Sequence, residues 1–223
     1  MKMNANSLLF KVFSAPLSCV YIDSITIFII INRNIKFINI IPLIILNVII
    51  FWDILTRRYS DKKDTFSHKI LAITFIVFPL AIALPYLEYI VFSYKNVNQI
   101  ALIIGCLLEL LGGYLIIHSR SVLGNYGTVS ISIEDNHVLV KEGPYKYVRN
   151  PMYDGFLIMI FGFCISNYGF VSFIIVDSII YIVLDKRARM EEILLKKRFG
   201  IEYEMYKERT GRYIPKIRKK VEI

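Results

Sequence analysis

Residues 143–184 read GPYKYVRNPMYDGFLIMIFGFCISNYGFVSFIIVDSIIYIVL and decide the architecture of the chain. The stretch opens on a Gly-Pro turn, and Pro151 restricts Asn150 to an extended conformation, which suits a residue that caps a helix. We therefore expect the side chain of Asn150 to cap a helix that starts at Pro151. Apolar residues then continue on both sides of a break at Asn167, which predicts a tight helical hairpin.

The composition indicates a membrane protein. The chain has 223 residues, 56% of them apolar, and a mean hydropathy of +0.53, which is more apolar than a typical water-soluble domain. A bilayer core about 30 Å thick needs roughly 20 apolar residues per helix. Six spans are predicted, at residues 16–32, 37–55, 70–94, 99–119, 152–166 and 168–184.

The predicted fold class is all-α, a polytopic integral membrane helical bundle of about six transmembrane helices. It ends in the short C-terminal hairpin and a cytoplasmic tail. Four spans make up a first region, residues 1–118, and a composition shift at Ser119 begins a second region, residues 119–223.

The positions of the basic residues support this topology. Lys and Arg number 27 against 18 acids, a net charge of +9. With both termini in the cytoplasm, all of them except Arg33, Lys36 and Lys95 fall on the cytoplasmic side, as the positive-inside rule requires. The charge is thus explained without nucleic acid, and no nucleic-acid-binding motif occurs. Three isolated cysteines without nearby histidines predict neither a metal site nor a disulfide framework.

Five acids lie at predicted membrane depth, one to a helix and with no matching cation: Asp23, Asp53, Glu88, Glu109 and Asp177. Such residues are functional candidates. We interpret them as solvated or hydrogen-bonded structural acids, and we expect Glu88 to snorkel toward the interface. A proton or ion pathway requires several acids on converging faces, so a transporter stays open as an alternative.

The start of the fifth span is a candidate anion site. Its first turn offers free backbone N–H groups and the positive end of a helix dipole, and Arg149 lies beside it. A carboxylate or a phosphate fits such a site. A capped helix with an arginine at the lipid headgroups explains the same residues equally well.

Two adjacent acids, Glu191 and Glu192, follow the sixth span. A helix continued through them puts Arg187 one turn before Glu191, and Glu192 one turn before Lys196, which is the better-ordered ion pair. At the membrane surface the two acids face Arg149. They are therefore candidates for holding a polar or cationic ligand.

The cytoplasmic side has two long polar segments. Residues 119–151 form a loop whose length is typical of functional loops in compact proteins. After the hairpin, the helix is predicted to end at Gly200, and a short helix follows over residues 202–210. The basic residues of the segment 216–220 predict contact with anionic membrane lipids.

These segments resemble, in order, the isoprenylcysteine carboxyl methyltransferase family and the related membrane phospholipid methyltransferases. The resemblance covers residues 115–217. It rests on Leu123-Gly124, Leu139-Val140, Gly143-Pro144-Tyr145, Arg149, Pro151, Tyr153, Gly155, Glu191-Glu192, Leu195, Phe199-Gly200, Tyr203, Tyr206 and Ile214-Pro215. An ordered set of motifs is far more specific than a single one.

The resemblance implies an S-adenosyl-L-methionine-dependent enzyme that methylates a lipidic or prenylated acceptor, such as the carboxylate of an isoprenylcysteine, without a metal. Arg149 and Arg209 are implied near the acceptor, and Glu192 is the third residue of the implied catalytic set. The implied cofactor-binding residues are His137, Leu139, Val140, Gly143, Tyr145, Asn150, Tyr153, Glu191 and Glu192.

The chain departs from the family pattern at Asn150, where the family has His, and at Asp154, where an apolar residue is common. Asn can donate a hydrogen bond but cannot titrate. Three other functions therefore stay open. They are a phospholipid N-methyltransferase using Glu191, Glu192 or Asp154 as a base, an NADPH-dependent sterol- or polyprenyl-type reductase, and a non-catalytic, transporter-like membrane protein.

Overall fold

The computed structural model describes residues 40–56, 77, 80–89, 91–92, 98–126 and 138–216. They form the α-helices α1 (Ile40–Thr56), α2 (Gln99–Leu123), α3 (Pro151–Ser166), α4 (Phe170–Phe199) and α5 (Ile201–Arg209), with short 3-10 helices at Gly124–Tyr126 and Gly143–Lys146. Residues 80–89 are also helical. In these ranges there is no strand, only an isolated bridge between Val148 and Gly211. The all-α prediction is confirmed for the described residues.

Among the described residues, α2 is the one helix that is both long and apolar enough to cross a membrane. Its 25 residues extend over about 37 Å at the α-helical rise. The apolar helices Ile40–Asp53 and Pro151–Ser166 are shorter. The first predicted span lies outside the described residues, so the count of six spans is not confirmed.

The predicted hairpin is present. Helix α3 ends at Ser166, three residues form the turn, and α4 begins at Phe170. Helix α4 then continues without a break for 30 residues and ends at Gly200, whose φ of 52° suits glycine. The hairpin, the extension of α4 beyond the apolar residues and the short helix α5 are all confirmed.

Two of the predicted acids at membrane depth are structural acids as interpreted, but the details differ from the expectation. Glu88 does not snorkel, because its carboxylate caps α4 by accepting hydrogen bonds from the backbone N of Val171 (3.0 Å) and Ser172 (2.8 Å). The first N–H groups of a buried helix need such acceptors. Asp53 does have a matching cation, since Arg120 of α2 forms an ion pair with it. Both corrections follow from contacts between helices.

Helices α2 and α3 pack at unusually short range because glycines face each other. A Cβ atom added to Gly112 would lie 2.5 Å from the carbonyl oxygen of Gly155. One added to Gly162 would lie 2.6 Å from that of Gly105. The apolar core surrounds this crossing, and its most enclosed members include Leu46, Ile82, Ile116, Met159 and Phe163.

A second, smaller core attaches α5 to the rest of the protein. Leu139, Tyr203 and Tyr206 are buried together. Leu195 and Phe199 of α4 pack against them. This core joins the loop before α3 to the end of α4, which positions the site described below.

Substitution by alanine should have different effects at Gly112 and Gly113, the two adjacent glycines of α2. In Gly112→Ala the new Cβ meets backbone atoms of Gly155 and Met159, whereas in Gly113→Ala it meets the terminal atoms of the Ile49 side chain. We expect Gly112→Ala to lower the free energy of unfolding by about 1–3 kcal/mol, as overpacking does. Gly113→Ala serves as the matched control, because a side chain can move aside. Thermal unfolding in detergent measures both, and equal melting temperatures would show that the close crossing is not a constraint.

Candidate functional site

Helix α3 starts at Pro151 as predicted, but Asn150 does not cap it with its side chain. Instead, the side-chain Nδ2 of Asn150 donates to the carbonyl oxygen of Arg212 at 3.4 Å. The backbone N of Asn150 donates to the same oxygen at 3.1 Å. Asn150 lies at the N-cap position as predicted, but its side chain does not cap the helix, because its amide is directed to a segment distant in sequence.

That segment is the C-terminal strap, which we define as residues 210–216. It forms a parallel bridge between Gly211 and Val148. The backbone N of Arg149 donates to the carbonyl oxygen of Gly211 at 2.8 Å. The strap is thereby fixed against the three residues that precede α3.

Arg149 binds Glu192 across the gap between the helix start and α4. Its Nε and Nη2 lie 3.1 Å and 3.0 Å from Oε1 of Glu192. The exposed fractions of the two side chains are 8% and 10%. The Nη1 of Arg149 donates to the carbonyl oxygens of Lys207 and Thr210. Arg149 therefore ties α3, α4, α5 and the strap together.

The sequence did not point to the next member of this cluster, Arg212. Its Nε and Nη2 donate to Oε1 and Oε2 of Glu192 at 2.9 Å and 2.8 Å. Its Nη1 donates to Oδ1 of Asp185 at 2.9 Å, and Asp185 also accepts from Nε of Arg189 at 2.7 Å. Glu192 thus pairs with two arginines rather than with Lys196. We call these five residues, Arg149, Asp185, Arg189, Glu192 and Arg212, the arginine–carboxylate cluster.

One signal for Asp185 was available in the sequence. Asp185 and Glu192 are seven residues apart, and positions i and i+7 lie on one face of a helix. Arg212 had no comparable signal, because its position depends on how the strap folds back.

Electrostatics keep both carboxylates of the cluster ionised. Burial raises the pKa of Glu192, but the hydrogen bonds from Arg212 and the charge of Arg149 outweigh it, so the pKa lies below its ordinary value. The pKa of Asp185 is likewise lowered by hydrogen bonds from Arg189 and Arg212, against a burial effect that raises it. The cluster is an assembly of charged groups at neutral pH.

Glu191 belongs to a different set of contacts. The hydroxyl of Tyr153 donates to its Oε1 at 2.8 Å. Nε of Arg187 lies 3.0 Å from the same oxygen and 2.8 Å from the Tyr153 hydroxyl. The adjacent acids of the motif therefore serve two separate networks, and Glu191 is the more accessible of them, with 29% of its side chain exposed.

The loop before α3 is packed against α5. Leu139 is buried against Tyr203 and Tyr206, and Val140 is half-buried. The Tyr206 hydroxyl donates to the carbonyl oxygen of Tyr145 at 2.7 Å. Gly143 is exposed and has a φ of 55°, which favours glycine. This part of the loop is held in place by its own buried side chains.

The structure brings together most, but not all, of the predicted site residues. Arg149, Asn150 and Glu192 meet at the strap, and Tyr153 meets Glu191. Arg209 is exposed and makes none of these contacts within the described part of the chain. His137 lies outside the described residues, so its predicted contact with a cofactor stays a prediction.

The lowered pKa of Glu192 predicts a pH-dependent stability. Its ordinary value is 4.5 and its folded value is lower, so its contribution is present above pH 4.5 and is lost as the pH falls further. The free energy of unfolding of the wild type should therefore approach that of Glu192→Gln between about pH 6 and about pH 3. Urea unfolding across this range measures the difference. Exposed Glu208→Gln is the control, and a gap that stays constant would contradict the prediction.

Comparison with known proteins shows what the central region is similar to. Residues 100–202 match the family described as phospholipid methyltransferase. Protein-S-isoprenylcysteine O-methyltransferase of Saccharomyces cerevisiae is 33% identical over 127 residues, which cover 56% of this chain and 53% of that protein. The protein of the same name from Schizosaccharomyces pombe is 35% identical over 82 residues, 37% of this chain and 35% of its own length.

A relative with a different acceptor is also similar. Methanethiol S-methyltransferase 1 of Bradyrhizobium diazoefficiens is 29% identical over 113 residues, 47% of this chain and 39% of that protein. The chain spans about half the length, or less, of the curated relatives it matches. The resemblance that the ordered motifs indicate is thereby confirmed for residues 100–202, which match the phospholipid methyltransferase family.

Proposed function

We propose that this protein is an integral membrane methyltransferase that uses S-adenosyl-L-methionine to methylate the carboxylate of a lipidic acceptor, such as an isoprenylcysteine. The main support is that polar residues from separate segments of the chain meet in one place. Arg149, Tyr153, Glu191 and Glu192 come from two helices and a loop, yet they lie in two adjoining polar networks. The printed names of the yeast relatives supply the acceptor class.

The residues present suit this donor in charge and hydrogen-bonding capacity. S-adenosyl-L-methionine carries a sulfonium, an ammonium group, a carboxylate and an adenosine. The partly exposed Glu191, fixed by Tyr153 and Arg187, suits a cationic or hydroxyl group. The resemblance implies that the backbone of residues 139–145 lines the adenosine side. The arginine–carboxylate cluster supplies cations for a carboxylate.

When bound, S-adenosyl-L-methionine supplies an electrophilic methyl group. A carboxylate acceptor is already anionic, so the chain needs no general base for it. The tasks left to the protein are to hold the acceptor oxygen in line and to exclude water, which together provide most of the catalysis. Arg149 is the proposed positioning residue on the acceptor side, because it binds Glu192 of α4 and the carbonyl oxygens of Lys207 and Thr210. The proposed acceptor role of Arg209 rests on the resemblance alone.

The proposed membrane arrangement is multi-pass, with about six spans and both termini in the cytoplasm. The length and apolarity of α2 support it, as does the distribution of Lys and Arg. Helix α4 extends without interruption from its apolar start at Phe170 to the cluster residue Glu192. A lipid-anchored acceptor in the bilayer is therefore within reach of the site.

A phospholipid N-methyltransferase is the second candidate, and the description of the matching family favours it. An amine acceptor must lose a proton before or during transfer, so this reaction needs a base. Asp154, in the first turn of α3, is half-buried and is the proposed base for that reaction.

Donor binding tests the proposed cofactor. We expect the purified protein to bind S-adenosyl-L-methionine in calorimetry and not NADPH. Tyr153→Phe should weaken binding about tenfold, because a hydrogen bond that orients a charged group is worth roughly 1.5–3 kcal/mol. Tyr147→Phe is the matched control, because the Tyr147 side chain is exposed in the same loop region. Binding of NADPH alone would replace the methyltransferase with the reductase, and binding of neither would support the non-catalytic alternative.

The chemical stability of the product tests the acceptor. With a methyl-labelled donor and an N-acetyl-S-farnesylcysteine acceptor, we expect a methyl ester that dilute alkali hydrolyses to labelled methanol. Arg149→Gln should lower its formation about a hundredfold, and Arg209→Gln shows whether that residue takes part. Alkali-stable label in phosphatidylethanolamine vesicles, lost in Asp154→Asn, would instead establish the N-methyltransferase.

A further inference from the structure

Arg212 occupies a position that the backbone fixes on both sides. Its carbonyl oxygen accepts hydrogen bonds from the backbone and the side chain of Asn150. The preceding residue, Gly211, is bridged to Val148. Because these bonds hold the strap beside the start of α3, the Arg212 side chain projects from a defined point rather than from a free chain end.

Two carboxylates orient the Arg212 guanidinium. Nε and Nη2 form a two-point contact with Glu192, and Nη1 donates to Asp185. A guanidinium has five N–H groups. Contacts in the described residues use three of those of Arg212, which leaves one N–H on Nη1 and one on Nη2. A pair of N–H groups on the two terminal nitrogens is a suitable arrangement for binding a further carboxylate.

Arg149 lacks this spare capacity. Four of its five N–H groups donate to Glu192, Lys207 and Thr210. Only 8% of its side chain is exposed, compared with 25% for Arg212. Of the two arginines on Glu192, Arg212 is therefore the more exposed one and the one with a pair of N–H groups that the described residues leave unused.

The charge balance of the cluster also favours an anion. Three guanidinium groups, those of Arg149, Arg189 and Arg212, share the two carboxylates of Asp185 and Glu192. One positive charge is left over. Because the pKa of Glu192 is lowered by its two arginines, neither carboxylate takes up a proton near neutral pH to increase this excess further.

We infer that Arg212 is an anion-binding residue of the site and receives a carboxylate, while Glu192 and Asp185 hold its guanidinium in place. The inference rests on the proposed function for the source of the carboxylate. Both the methyl donor and an isoprenylcysteine acceptor carry one. The shared chemistry is therefore a carboxylate presented to the two N–H groups of Arg212 that the described residues leave unused.

The test compares ligands with and without the carboxylate on proteins with and without the guanidinium. In the donor arm, the ligands are S-adenosyl-L-methionine and its decarboxylated analogue. In the acceptor arm, they are N-acetyl-S-farnesylcysteine and its carboxamide. Calorimetry on wild type, Arg212→Gln and Arg212→Lys gives the loss of affinity that removal of the carboxylate causes in each protein. Lys197→Gln removes an exposed cation of α4 and is the control.

In the arm whose ligand places its carboxylate on Arg212, we expect the wild type and Lys197→Gln to bind the ligand without a carboxylate about tenfold more weakly. In Arg212→Gln the same removal should change affinity less than twofold, and Arg212→Lys should lie between them. The arm that shows this coupling identifies the carboxylate. The ligand without a carboxylate still binds Arg212→Gln in this case, which shows that the variant is folded.

Two results would overturn the inference while leaving the proposed function intact. One is an equal loss of affinity in wild type and Arg212→Gln in both arms. The other is that Arg209→Gln, and not Arg212→Gln, abolishes the loss of affinity that removal of the carboxylate causes. Failure of the wild type to bind any of the four ligands would overturn the proposed function, and the inference with it.

Discussion

The site depends on the ion pairs that the carboxylate of Glu192 forms with two arginines. This carboxylate accepts hydrogen bonds from Arg149 and Arg212, which reach it from the loop before α3 and from the C-terminal strap. Neither the carboxylate nor Arg149 is well hydrated, so each charge requires the others, and removal of one leaves an uncompensated buried charge. The loop, α4 and the strap therefore fold as one unit around a single side chain.

The rest of the molecule keeps this unit rigid. The glycine contacts between α2 and α3 bring the two backbones together and fix the direction in which α3 begins. At the other side, the small core around Tyr203 and Tyr206 fixes α5 and the loop. Charged groups hold a precise geometry only when their supporting elements are packed. An apolar core and an aromatic core thus flank the arginine–carboxylate cluster.

The helices could be predicted from the sequence because their signals are local. Two apolar segments predicted the hairpin, Pro151 predicted its first residue, and Gly200 predicted the end of α4. The local pair of Arg187 and Glu191 follows from their spacing in one helix. The ion pairs between separate segments could not be predicted: Asp53 and its partner Arg120 are 67 residues apart. Periodicity tells which residues share a face, as for Asp185 and Glu192, but not which faces meet. The family motifs identified Arg149 and Glu192 as site residues, but Arg212 belongs to no motif and was missed.

Helix α4 has a mechanical consequence. It is unbroken over 30 residues, so its apolar start and the carboxylates of Glu191 and Glu192 move as parts of one rod. Those carboxylates lie about 32 Å from Phe170 along the axis, and a tilt of about 5° displaces them by roughly 3 Å. A change in bilayer thickness alters helix tilt. In the proposed membrane arrangement, the lipid around the hairpin thus moves this rigid unit relative to the membrane surface, through the tilt of α4 rather than through binding.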